Sequence, residues 1–177
     1  MSEADLKTLF GSMTQSLPLR KNSLSPASTL PTSKVEVIGP KGSLVMSILG
    51  PTRPETQVEV ALTDARKLGI AAPIRESGDL EGTPGCTLKG PAGEVVIEKG
   101  VIAAKRHIHF NVEEAAAAGV EDKQIVSVKV GKEGERSVIF GDVVVRVSPK
   151  YAAAMHIDTD EANAAGIAGE VEGEIIR

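Results

Sequence analysis

The sequence predicts a mainly β fold of the α+β class, arranged as two similar small units with short capping helices. Short β-branched apolar runs recur along the chain, separated by Gly and Pro, and such runs read as strands. Aromatic residues are only 2% of the chain, with no Trp, while hydrophobic residues are 41%. The core must therefore be built from Val, Ile, Leu and Ala, a composition that suits small barrels and short helices. Finally, the second half of the chain echoes the first, with a division at 1–104 and 105–177. A length of 177 residues fits two small domains as readily as one.

Residues 1–11 predict a helix: Ser2 as cap, Glu3 and Asp5 in the first turn, Leu6, Leu9 and Phe10 as apolar face, Gly11 at the end. Residues 12–33 are rich in Ser, Pro and Thr and predict a long loop. Val35–Ile38 and Ser43–Leu49 predict strands joined by the turn Gly39-Pro40-Lys41-Gly42. Gly50-Pro51-Thr52-Arg53-Pro54 predicts a stiff loop. A strand follows at Val58–Val60, then a helical turn opened by Thr63-Asp64 and closed by Gly69. Residues 75–87 predict a loop, and 87–90 a lead into the strands at Val95 and Val101. After His109, Asn111 predicts the cap of a helix running to Gly119. Strands are expected at Ile125–Val130, Ser137–Phe140 and Val143–Val147, and a helical turn between His156 and Gly166.

The repeat is read by placing Gly69 on Gly166. Val58-Glu59-Val60 then falls on Met155-His156-Ile157 without a gap, and the hairpin from Val35 echoes that from Ile125. Glu59 and His156 become equivalent positions. The counterpart of Arg106-His107-Ile108-His109 would fall just ahead of Met1, so the first repeat is expected to lack its opening strand.

Two of the three histidines, His107 and His109, stand one residue apart in an apolar β-branched context. On a strand, residues i and i+2 share a face, which is a chelating geometry. Two same-face histidines also occur on plain solvated strand edges. Through the repeat, Glu59 and His156 join the pair, and carboxylate and imidazole are both ligands for zinc. Arg106, on the opposite face of the strand, is expected to be structural. Asp158 and Asp160 suit two roles equally, orienting His156 or capping the helix that follows.

A net charge of −4 without a basic run, and the scarcity of aromatic rings, exclude a general nucleic-acid binder. The single cysteine, Cys86, rules out an internal disulfide and fits a reducing compartment; a buried, inert thiol is expected there. No apolar run is long enough to span a bilayer, and no signal peptide is visible. The expected location is the cytoplasm or a compartment within it.

Several stretches together resemble the phosphate acyltransferases of the propanediol-utilisation type, the phosphate propanoyltransferases of bacterial microcompartments. They are Gly39-Pro40-Lys41-Gly42, Leu49-Gly50-Pro51 with Arg53, Glu55-Thr56-Gln57-Val58-Glu59, Arg75-Glu76-Ser77-Gly78-Asp79, Ala104 to His109, and Met155 to Asn163. The resemblance covers nearly the whole chain. It implies two β-barrels with zinc ions between them, and conversion of acyl-CoA (propanoyl-CoA or acetyl-CoA) and phosphate to acyl phosphate and CoA. It implies metal ligands at Glu59, His107, His109 and His156, a phosphate-holding catalytic Arg53, and coenzyme A contacts at Leu49 and Asn163. The expected partners are a second copy of the chain and microcompartment proteins; neither membrane nor nucleic acid is expected, on the composition rather than on the resemblance.

The chain departs from the pattern in places. Ser47 stands where a basic residue near CoA is expected. The Asn-Arg-His-x-His stretch and the encapsulation helix that precede this segment in such enzymes are absent from the sequence, which leaves ligands for one zinc site rather than two. The alternative reading is therefore a truncated, catalytically impaired member that keeps CoA or phosphate binding or assembly. A plain β-barrel interaction module would leave the histidines without a task.

Overall fold

The computed structural model describes residues 1–11 and 34–176. The loop expected over 12–33 lies outside the described residues. The chain folds as two compact units, Met1–Ala103 and Ala104–Arg177.

The first unit opens with α1 (Glu3–Phe10), capped by Ser2, whose Oγ accepts from the Asp5 amide at 3.2 Å. Leu6, Leu9 and Phe10 recur at helical spacing and are buried. The strands β1 (Lys34–Ile38) and β2 (Ser43–Ser47) form the expected hairpin, closed by the Gly39 amide donating to the Gly42 carbonyl at 2.9 Å. With β5 (Cys86–Lys89) and β6 (Glu94–Ile97) they make an antiparallel sheet of order β2-β1-β5-β6. The strand β5 falls where a loop and its exit were expected. The Gly and Pro residues that mark the loop end just before it, and Leu88, wholly buried, anchors it.

A second small sheet, ordered β3-β7-β4, joins β3 (Val58–Glu59), β7 (Val101–Ala104) and β4 (Ile74–Arg75). Here β3 runs parallel to β7, with Glu59 opposite Ile102. Val58 is buried and Glu59 exposed, as alternation along a strand requires. The following helix, α2 (Leu62–Leu68), starts earlier than expected. Its N-cap is Ala61, with no side-chain cap, and Asp64 sits inside the first turn, bonded to Lys67 Nζ at 2.9 Å. Gly69 closes it at φ 75°, a conformation glycine adopts without steric penalty. Leu9, Phe10, Val37, Leu68, Leu88 and Val101 lie at the centre of this unit's core, each burial stabilising by about 1.5–3 kcal/mol for a large side chain.

The second unit is one five-stranded sheet of order β11-β8-β10-β9-β12. Its strands are β8 (His107–Phe110), β9 (Ile125–Val130), β10 (Val138–Val147), β11 (Ala154–His156) and β12 (Glu174–Ile176). The pair β8/β10 is parallel and the other three pairs are antiparallel. The two strands expected at 137–140 and 143–147 are one strand. Phe140 pairs Val128 and Val143 pairs Val126, so β10 carries one extra residue between two intact stretches of ladder. Gly141-Asp142 reads as a turn locally, but pairing with β9 on both sides makes it a bulge. The edge strand β12 was not expected, because its few apolar residues carry no clear period.

Both helices of this unit have capping boxes. Asn111 Oδ1 accepts from the Glu114 amide at 2.8 Å ahead of α3 (Val112–Ala118), and Asp158 Oδ1 accepts from the Glu161 amide at 2.9 Å ahead of α4 (Thr159–Ala164). Asp158 thus serves as a helix cap, one of its two expected roles.

The α+β class with sheet dominant and helices few and short is what the chain adopts. Among the described residues no sheet closes into a barrel. In the first unit β3 and β4 are two residues long, too short to carry a ladder around and join one sheet to the next.

Candidate functional site

In the second unit, alternation along β8 sends Ile108 into the core, where it is buried, and turns His107 and His109 to the other face. The antiparallel neighbour β11 places His156 directly opposite His107. The parallel neighbour β10 places Arg146 opposite His109. All three histidines therefore share one face of one sheet, with ring centroids 4.6–4.9 Å apart. Their potential ligand atoms all lie within 4.8 Å of one another.

The electrostatics favour neutral rings. Burial pushes His107 and His109 down to about 4 from the ordinary 6.5. The Lys105 carbonyl opposes this at His107, while Arg146 and the neighbouring imidazoles reinforce it at both. His107 Nδ1 lies 2.9 Å from the Lys105 carbonyl oxygen. A carbonyl only accepts, so Nδ1 carries the proton and Nε2 keeps its lone pair for a ligand. His109 is flanked instead by Tyr151, stacked with ring centroids 4.0 Å apart and planes 14° apart.

Three imidazoles in one cluster, His107 and His109 among them held neutral by burial, are a donor set that fits zinc, and also suits copper, nickel or iron. Arg106 is held away from this chemistry. Its Nε pairs with Glu161 Oε1 at 2.7 Å, and its guanidinium lies 5.0 Å from the Phe140 ring centroid. That is the structural role expected of it.

The first unit brings Arg53 and Glu59 together. Arg53 Nη1 donates to Ser77 Oγ at 2.6 Å, Gln57 Nε2 donates to the same oxygen at 2.9 Å, and Ser77 Oγ donates to Glu59 Oε1 at 3.3 Å. The Ser77 hydroxyl thus uses its one proton and both lone pairs. Gln57 Nε2 also donates to Glu59, and Gln57 Oε1 accepts from the Gly78 amide at 2.8 Å, which fixes the amide's orientation. The Arg53 loop is held by the Arg53 amide donating to the Met1 carbonyl at 3.0 Å. The other guanidinium N–H groups of Arg53 have no hydrogen-bond partner among the described residues, which leaves donors for an anion.

Leu49 lies two residues past β2 and is exposed, and Asn163 lies exposed on α4. Cys86 is buried, and burial pushes its thiol up to about 11, so it is the inert thiol expected. Among the described residues no helix is long and apolar enough to cross a membrane.

A sequence model of phosphate propanoyltransferase matches residues 1–168. The chain belongs to the phosphate propanoyltransferase family, a family of acyltransferases. A phosphate propanoyltransferase of Thermotoga maritima is 49% identical over 166 residues, covering 93% of this chain and 78% of the relative. One from Enterococcus faecalis is 48% identical over 178 residues, covering 100% of this chain and 83% of the relative. One from Shewanella putrefaciens is 47% identical over 171 residues, covering 96% and 79%.

Ser77, Gln57 and Tyr151 complete these constellations, and the sequence did not single them out. Ser77 and Gln57 do lie inside the most family-like stretches, and Tyr151 is the chain's one tyrosine. Those were the available signals.

Proposed function

We propose that this chain transfers a short acyl group between coenzyme A and phosphate, with propanoyl-CoA or acetyl-CoA as the thioester. A phosphate oxygen attacks the thioester carbonyl, the C–S bond breaks, and CoA leaves as a thiolate that takes up the proton phosphate gives up. The products are acyl phosphate and free CoA. The observation that carries the reading is the convergence of His107, His109 and His156 in a chain of this family. Membership of a family of acyltransferases favours turnover over the impaired alternative.

In this reading His107, His109 and His156 hold zinc, and Glu59 stays with the Arg53 cluster, where Gln57 and Ser77 donate to it. Bound zinc supplies Lewis-acid polarisation and a template for charged oxygens. Arg53 holds the phosphate dianion through its planar fork, and Ser77 and Gln57 keep that fork aimed. Leu49 and Asn163 contact coenzyme A, their exposure being compatible with a bulky substrate. The two units, Met1–Ala103 and Ala104–Arg177, are read as copies of one repeat unit, Glu59 and His156 being the equivalent positions. The protein works as a homo-oligomer in the cytoplasm or a microcompartment lumen.

The test is metal analysis of purified protein together with CoA release from propanoyl-CoA and phosphate, repeated with acetyl-CoA. Co-purifying zinc and phosphate-dependent release support the proposal. Full activity in protein stripped of metal overturns its metal-dependent part, and no phosphate-dependent release overturns the whole.

A further inference from the structure

Tyr151 stands apart from the chain's other aromatic residues. Phe10 and Phe140 are buried in the two cores, and Phe110 packs against the second. Tyr151 is the one tyrosine, belongs to neither core and keeps 37% of its surface exposed. A backbone device holds it in place. The Ser148 amide donates to the Phe110 carbonyl at 3.0 Å, tying the exit of β10 to the end of β8, and the Tyr151 amide donates to the Ser148 carbonyl at 3.0 Å. The resulting turn delivers the phenol ring onto His109, at 4.0 Å and 14°.

The contact supplies what His109 otherwise lacks. The Lys105 carbonyl fixes the His107 ring. Among the described residues no hydrogen bond orients the His109 ring. The terminal torsion of a histidine is broad, so a ring without a bond to hold it samples orientations that point its nitrogens away from a shared ligand. A flat ring stacked on one face blocks that rotation and keeps water from that face.

We infer that Tyr151 is a positioning residue for His109, whose stacked ring holds the imidazole turned toward His107 and His156 and so raises the affinity of the cluster for a divalent metal. The inference rests on the metal-binding reading proposed above.

The experiment uses the full chain, stripped of metal and titrated with zinc against a chromogenic chelator, as wild type, Tyr151→Phe, Tyr151→Leu, Tyr151→Gln and His109→Ala. Zinc binding should weaken by about tenfold in Tyr151→Leu and Tyr151→Gln and stay within about twofold in Tyr151→Phe, which keeps the ring. In metal-free protein, NMR should show the His109 ring protons shifted upfield in wild type and Tyr151→Phe, and relaxed downfield in the two ring-less variants. Two ring-less variants are measured so that one failing to fold leaves the other.

Wild-type affinity in a folded ring-less variant, with affinity lost in His109→Ala, overturns this inference alone. Equal affinity in wild type and His109→Ala overturns the metal reading, and the inference falls with it.

Discussion

The second unit gathers three imidazole nitrogen donors on a sheet face, whereas the first gathers opposite charges around one hydroxyl. The supports differ as much as the chemistry. His107, His109 and His156 are set by strand register, β11 against β8. Arg53, Gln57 and Ser77 stand on loops flanking the two-residue strands β3 and β4, tied to one another by side-chain bonds. Neutral imidazoles tolerate burial, and burial keeps them neutral. A guanidinium and a carboxylate need water or hydrogen-bond partners, and here both are exposed and linked through the Ser77 hydroxyl. The lesson is that donors without charge can be set by strand register, whereas a charged side chain is aimed by a hydrogen-bonded collar. The ladders differ too. Glu59 pairs in a parallel ladder beside Ile102, and His156 in an antiparallel ladder beside His107.

The largest effect is expected from breaking the ladder-borne site. His107→Ala should lose zinc and lower CoA release by about a thousandfold, as removal of a main electrostatic stabiliser does. Retained zinc with lost activity would move His107 from ligand to acid–base group. Breaking the other site should leave metal in place. Arg53→Gln is expected to lower CoA release by about a hundredfold with zinc content unchanged, and a falling zinc content would erase the distinction between the two constellations. Loosening the collar is milder: Ser77→Ala should cost about tenfold in CoA release, the worth of one charge-assisted hydrogen bond. An unchanged rate would make Ser77 a bystander.

Acid should distinguish the clusters without mutation. In metal-free protein His107 and His109 stand near 4, against 6.5 for an ordinary histidine. Between those values the unfolded chain binds more protons than the folded one, so stability rises with pH across the window. It is fully present above 6.5 and is lost as pH falls toward 4. Urea midpoints of metal-free protein should drop between about pH 7 and about pH 4.5, and less steeply in the double variant His107→Ala, His109→Ala. Equal slopes would mean the imidazoles are not held neutral by burial. The smallest effects compare the units' helix caps. Ser2→Ala and Asp158→Ala should each destabilise by about 1 kcal/mol in chemical denaturation, with Asp158→Ala leaving zinc affinity unchanged if the cap is its whole task.

Part of the fold was legible because its causes are local. Ser2, Asn111 and Gly69 mark helix ends through bonds to residues within four positions. The turn Gly39 to Gly42 closes on itself. The misread places have distant causes. Gly141-Asp142 is a bulge because β9 pairs on both sides of it, and β5 is a strand because β1 and β6 flank it. The collar around Arg53 escaped notice for the same reason: Ser77 reaches it from 24 residues away.

Sequence alone determined that His107 and His109 share a face, since a strand has a period of two. Only the tertiary structure decided that the third histidine joins them. His156 meets His107 because β11 pairs with β8 in one register. A slip of one residue would turn His156 to the opposite face and leave a pair where there is now a triad. Register is fixed by the packing of Ile108, Met155 and their neighbours in the second core, and such a sum of contacts is written in no single stretch of the chain.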